Sequence, residues 1–306
     1  MDLILDLQNV VKTYDRKIAV NDVSFGVPRA SIFGLLGPNG AGKTSLIRII
    51  TTITRADSGR VFLDGQALNS RHPEQIGYMP EERGLYKKMK VGEQLTYLAR
   101  LKGLSASDTK LALKYWMEKF EVMDWWGKKI EELSKGMQQK IQFISTVLHN
   151  PKLIILDEPF TGLDPINTNL LKDEIADLRA KGVSIIFSTH RMEQVEEICD
   201  NIVLIDQGQN ILNGPVKTIR NSFKQNRFKV DFAEEWKGTL PPGFEVVDQQ
   251  PDSLVVGLAE GGNSSALLQY LLGQGVQISA FNEIMPSLNE IFIQAVEKNH
   301  QPAKGQ

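Results

Sequence analysis

The octapeptide Gly37-Pro38-Asn39-Gly40-Ala41-Gly42-Lys43-Thr44 constrains this chain more than any other stretch. It fits Gly-x4-Gly-Lys-[Ser/Thr], a phosphate-binding loop. The apolar run Ile32, Phe33, Leu35 and Leu36 precedes it, and the helix-forming run Ser45–Ile50 follows it. That supplies the strand–loop–helix context the motif requires. Glycines at this spacing let several backbone N–H groups converge on one anion, and the start of the next helix adds positive potential. Lys43 then serves the outer phosphates as a point charge, and the Thr44 hydroxyl is a ligand for Mg2+. Read alone, the stretch is also compatible with a glycine-rich turn before a helix.

With 306 residues the chain has room for one large domain or two. Lys and Arg total 35 against 37 Asp and Glu, a formal net charge of −2. That balance argues against a nucleic-acid partner, which usually selects a basic surface. The single cysteine, Cys199, rules out an intrachain disulfide and fits a reducing compartment. Its simplest reading is a small buried side chain near a helix end. No run approaches the roughly 18 apolar residues of a membrane span. The start of the chain carries Asp2 and Asp6 where a secretory signal carries bases. The chain is therefore expected neither to span a membrane nor to be exported, and docking on a membrane protein stays open.

Strands are expected at 3–7, 18–27, 59–63 and 76–79, the last stopped by Pro80. Three- and four-residue apolar spacing predicts helices over 91–102 and 108–120, and a further helix over about 136–149. Leu153–Leu156 and Val183–Ser188 read as strands covered on both faces. Pro165–Ala180 reads as a helix opened by proline. A hairpin is expected about Gln207-Gly208. Near residue 225 Gly, Pro, Gln and Ser increase and short strands return at 227–232, 244–248 and 254–258. Helices over 264–272 and 286–297 and a strand over 276–281 complete a small α+β unit, with 299–306 expected to fray.

The strand 153–156 ends in Asp157-Glu158. Asp157 is placed to hold Mg2+ near the loop 37–44, and Glu158 to orient a water for attack on a γ-phosphate. Between the two motifs lies Leu133-Ser134-Lys135-Gly136-Met137-Gln138-Gln139. Ser134 and the N–H groups from Gly136 onward open a helix, a ready anion site. An N-capping serine with a flexible entry turn is the plainer reading.

With that segment the sequence resembles the ATP-binding cassette (ABC) family, whose signature is usually Leu-Ser-Gly-Gly-Gln. Ser134 and Gly136 match, and Lys135 replaces a glycine. Thr161-Gly162-Leu163-Asp164 resembles the loop that crosses between cassettes. His190 resembles the switch histidine that contacts the γ-phosphate. Tyr14 resembles the aromatic residue that stacks on adenine, strand packing being its other reading. The resemblance covers about residues 3–225. It implies an α/β P-loop NTPase cassette: a mixed core sheet, an antiparallel β subdomain and a helical subdomain inserted at about 86–150. A small C-terminal α+β domain would occupy 227–306.

The resemblance also implies the ligands and roles. ATP would lie on Tyr14 and on Gly37, Pro38, Asn39, Gly40, Ala41, Gly42, Lys43, Thr44 and Ser45. Mg2+ would lie on Thr44, Asp157 and Glu81, with Glu158, His190 and Lys43 catalytic. Ser134, Gly136, Gln138 and Asp164 would meet the nucleotide of a second cassette, a homodimer or a similar chain. Glu81 is a departure, since family members usually carry glutamine there. A carboxylate is still an oxygen ligand, but it adds negative charge beside a triphosphate. The implied function is ATP hydrolysis driving transport, in the exporter direction, through separate integral membrane permease subunits. The chain would sit peripherally on the cytoplasmic face of the cell membrane. Leu85, Tyr86 and Met89 are apolar residues in a polar loop, suited to docking or to packing under the helical lobe. Trp116, Trp125 and Trp126 read as core or rim of that lobe. The rival is a soluble ABC ATPase acting on ribosomes or DNA, or a regulatory module.

Overall fold

The computed structural model describes residues 2–82, 84–259 and 262–300; Arg83 and residues 301–306 of the expected frayed stretch 299–306 lie outside the described residues. The chain divides into two compact units, residues 1–216 with 295–306, and residues 217–294. The compositional change near 225 falls just inside the second.

In the first unit β1 (Leu3–Tyr14) and β2 (Lys17–Pro28) form a long antiparallel hairpin. The first runs seven residues past its expected end, whereas the second matches its expected bounds to within one residue; inward apolar positions such as Leu5, Leu7, Val10, Val20, Val23 and Val27 recur along both. Next come β3 (Ile32–Leu36), α1 (Lys43–Ile50), β4 (Ser58–Leu63), β5 (Gln66–Ala67) and β6 (Ile76–Met79). The helical lobe holds α2 (Val91–Leu101), α3 (Ala106–Lys119) and α4 (Lys135–Val147). The chain returns through β7 (Leu153–Asp157), α5 (Pro165–Ala180), β8 (Ser184–Ser188), α6 (Met192–Ile198), β9 (Asn201–Asp206) and β10 (Gln209–Pro215).

The central sheet has the order β10-β9-β3-β8-β7-β6, parallel except for the β9–β10 hairpin. Its middle strands β3, β7 and β8 are buried almost throughout, as parallel strands covered on both faces must be. A second sheet, β2-β1-β4-β5, is antiparallel. Phe25 stacks on Phe33 at 5.5 Å and joins the two sheets in one core with Leu46, Ile47, Ile50 and Ile186. This is the mixed sheet, antiparallel sheet and helical insertion expected for a cassette. Cys199 is buried just past α6, and burial pushes its thiol pKa up. Trp116 is buried between Phe120 and Phe143, whereas Trp126 is half-exposed at the rim and closes over Gly92.

The second unit begins with α7 (Val216–Ser222), whose first residue still belongs to the first. Four antiparallel strands follow: β11 (Arg227–Phe232), β12 (Phe244–Gln250), β13 (Ser253–Leu258) and β14 (Ile278–Ile284), in the order β12-β13-β11-β14. α8 (Ser264–Gly273) packs Leu267 and Leu271 into a core with Val230, Leu254, Val256 and Trp236. α9 (Leu288–His300), which belongs to the first unit from Ala295 onward, starts two residues later and ends three residues later than the pattern suggests. Its end is tied rather than frayed: Asp206 accepts from Asn299 at 2.8 Å and pairs with His300 at 2.9 Å.

The helical lobe is fastened to the core by a charge pair. Lys119, at the end of α3, meets the buried Glu174 of α5 and lies 3.3 Å from Asp177. Burial opposes its charge, but Glu174 and Asp177 outweigh that and the ammonium pKa is pushed up to about 12. Lys119→Met strands the Glu174 carboxylate. Urea unfolding near pH 7 should show a loss of roughly 2–3 kcal/mol, less than for a fully buried pair because Lys119 keeps some solvent contact. The pair contributes fully below the ordinary lysine pKa. The contribution disappears as pH rises through about 12.

Candidate active site

The phosphate loop leaves β3 at Leu36 and enters α1 at Lys43. Its glycines are required by what lies against them. Gly37 has φ 149° and a Cβ there would sit 2.1 Å from the Ile205 carbonyl oxygen. Gly42 has φ 114° and its Cβ would sit 2.3 Å from the Ala19 carbonyl oxygen. The loop is thus pressed between the end of β9 and the β1–β2 hairpin. Lys43 Nζ donates to the Gly37 and Pro38 carbonyls at 2.6 and 3.0 Å. Burial lowers its pKa, while the charges of Asp157, Glu158 and Glu81 act in the opposite sense. Thr44 is exposed at the first turn of α1, with Ser45 partly buried behind it.

The parallel sheet brings the acids to this loop. Asp157 ends β7, where burial raises its pKa, a Ser188 hydrogen bond lowers it, and Glu81 and Glu158 raise it further. Glu158 has φ 51°, an uncommon backbone for a non-glycine residue. Its N–H is held by the Ser188 carbonyl at 2.8 Å. Its Oε1 accepts from the His190 N–H at 2.8 Å and lies 2.7 Å from His190 Nδ1. Its Oε2 accepts from the Thr189 hydroxyl at 3.1 Å. Glu158 is therefore aimed by the end of β8, while the His190 ring stays 72% exposed. The Tyr78 pKa is pushed up to about 12 by burial and by Asp157 and Glu81, which puts Glu81 in the same negative field.

A second cluster forms at the start of α4. Exposed Ser134 caps this helix and accepts from the Met137 N–H at 3.3 Å. A Cβ on Gly136 would sit 3.5 Å from the Gly162 carbonyl, so the helix tip adjoins the 161–164 loop. Asp164 caps α5, accepting from the Asn167 N–H at 2.9 Å. Gln138 turns inward, and its amide donates to the Ile130 and Leu133 carbonyls at 3.1 and 2.9 Å. Tyr14 ends β1, 38% exposed, with Lys12 Nζ 5.4 Å from its ring centre. Leu85 is buried, whereas Tyr86 is exposed and meets Tyr97 edge-on.

A family model described as ABC transporter matches residues 20–161, and one described as the DrrA1-3-like ATP-binding protein C-terminal domain matches 214–296. The chain is 42% identical over 294 residues to the uncharacterised ABC transporter ATP-binding protein YhaQ of Bacillus subtilis, covering 96% of this chain and 98% of that one. It belongs to the ABC transporter ATP-binding protein family. Nod factor export ATP-binding protein I of Burkholderia thailandensis is 35% identical over 71% of this chain and 73% of its own length. A solved ATP-binding subunit of an ABC transporter superposes with a TM-score of 0.68 at 30% identity, over 72% of this chain and 93% of that one.

The chain is thus the ATP-binding subunit of an ABC transporter, and as a member of this ATPase family it hydrolyses ATP. Within this ABC subunit some site residues escaped the sequence reading. Thr189 is buried and holds Glu158, and Ser188 holds Asp157. Their signal was the polar run Ser188-Thr189-His190 closing an apolar strand. Among the described residues no helix is long and apolar enough to cross a membrane.

Proposed function

We propose that this subunit binds ATP on the loop Gly37–Ser45, with adenine on Tyr14, and pairs with a second cassette whose Ser134 and Gly136 close the site. The start of α4 carries the exposed Ser134 and Lys135 and the partly buried Gly136, and a helix start of this kind suits a γ-phosphate held by another chain. Gln138 and Asp164 support that tip from within, through the loop at 130–133 and the cap of α5. The single observation that carries the reading is the convergence of Lys43, Asp157, Glu158 and His190 at the ends of three neighbouring parallel strands. Glu158 takes a proton from the attacking water, and His190 orients Glu158 and reaches toward the γ-phosphate.

Thr44, Asp157 and Glu81 form an all-oxygen donor set that fits Mg2+. When bound, Mg2+ would offset charge on the outer phosphates. Glu81 then differs from a neutral glutamine in a measurable way. Glu81→Gln should strengthen metal-free ATP binding about three- to tenfold, because one repelling charge leaves. It should also raise the Mg2+ concentration needed for half-maximal hydrolysis. If neither titration moves, Glu81 lies outside the metal site.

Transport follows from the family, and the name of the Nod factor export relative supports the outward direction. Separate membrane subunits would form the path, with the exposed Tyr86 beside buried Leu85 offered to them on the cytoplasmic side. Copurification from detergent-solubilised membranes tests this. Integral membrane partners that stimulate ATP hydrolysis are expected. Ribosomal proteins in their place would favour the soluble rival.

A further inference from the structure

Helix α4 does more than present Ser134. Three residues apart on one buried face it carries Gln139 and Gln142, 4% and 3% exposed. The Gln139 amide donates to the Pro159 carbonyl at 2.8 Å, and the Gln142 amide to the Pro80 carbonyl at 2.7 Å. Pro159 directly follows Glu158, and Pro80 directly precedes Glu81. The two acceptors leave adjacent strands, since β6 and β7 pair in parallel with Met79 opposite Leu156. One helix face therefore grips both loops that bear the site's acids.

Fold stability does not account for both contacts. Among the described residues the Gln142 Oε1 atom is buried without a partner. An unpaired buried amide oxygen is a cost to the fold, set against the one bond that the same amide donates to Pro80. What Gln142 provides is a fixed place for the Pro80 carbonyl. Helices are stiff along their length, so a shift of the Ser134 end is delivered to Pro159 and Pro80 together.

We infer that Gln139 and Gln142 are positioning residues: they tie the helix that closes the partner's ATP to the Glu158 and Glu81 loops of the same chain. This rests on the reading that Ser134 acts across the dimer, Glu158 is the base and Glu81 approaches the metal. The coupling makes hydrolysis at one site depend on the seating of the other.

Methionine keeps the length and removes the donor. Gln139→Met should lower kcat about 10- to 100-fold with the ATP dissociation constant changed less than twofold, the effect of misplacing a catalytic group by about an ångström. Gln142→Met should instead raise the Mg2+ requirement severalfold, read per folded molecule because the Pro80 carbonyl loses its donor. Should either variant fail to fold, the Gln→Leu variant at that position carries the same expectation, because it too lacks a donor and places no charge in the buried site. A lower melting temperature with kcat and Mg2+ dependence per folded molecule at wild-type values would overturn the inference. Glu158→Gln and Glu81→Gln run alongside separate the two levels. If they act as expected and the Gln139 and Gln142 variants do not, the positioning role alone fails. If they too leave the kinetics unchanged, the underlying site assignment fails.

Discussion

Glu158→Gln should retain ATP at near wild-type affinity and lose at least about 100-fold in kcat, the usual worth of a positioned general base. The substitution preserves shape, and the amide oxygen can still accept from the His190 N–H, which donates to Glu158 at 2.8 Å. It removes the capacity to take a proton, together with one negative charge near Lys43 and Asp157. The strained backbone at Glu158, φ 51°, and the 3.1 Å bond from Thr189 show how narrowly that carboxylate is aimed. Single-turnover hydrolysis separates chemistry from release. Unchanged turnover in that assay would remove Glu158 from the role. Thr189→Val should give a smaller loss in the same direction, since it leaves the base but loosens one oxygen.

Gly37→Ala has the other large expected effect. Its methyl would overlap a backbone oxygen, Ile205 O at 2.1 Å, and no rotamer change relieves that. Either the loop or the end of β9 must shift, and φ 149° is itself outside the range an alanine favours. ATP affinity is expected to fall at least about 100-fold, or about 2.7 kcal/mol, because the loop N–H groups no longer converge. Stability is expected to fall by roughly 1–3 kcal/mol from the strain. Equilibrium titration with a fluorescent ATP analogue, alongside thermal unfolding, checks both. Wild-type affinity in Gly37→Ala would mean that the glycine serves packing alone.

Much of the candidate site was legible in the residues because its motifs are local. A run of eight residues defines the phosphate loop, and a strand ending in Asp157-Glu158 announces its acids. Buried strands read well for the same reason, as their apolar runs are short and bounded. Less legible were features set by tertiary contact. The length of β1 depends on pairing with β2 across many residues. Short helices such as Met192–Ile198 lack enough turns to show a period. Lys119 with Glu174, and Gln139 with Pro159, join residues far apart in sequence whose types alone carry no signal. The hold of Asn299 and His300 on Asp206 is of that kind too, and it turns an expected loose end into ordered helix.

Sedimentation velocity of the Glu158→Gln protein, with and without ATP and in parallel with a Ser134→Arg version of it, bears most directly on the sandwiching of ATP between two chains. The expected pattern is monomer without nucleotide, dimer with it, and for the Ser134→Arg version a monomer that still binds ATP. Full ATP occupancy on a monomer of the Glu158→Gln protein, or equal dimerisation despite arginine at the helix tip, would contradict it.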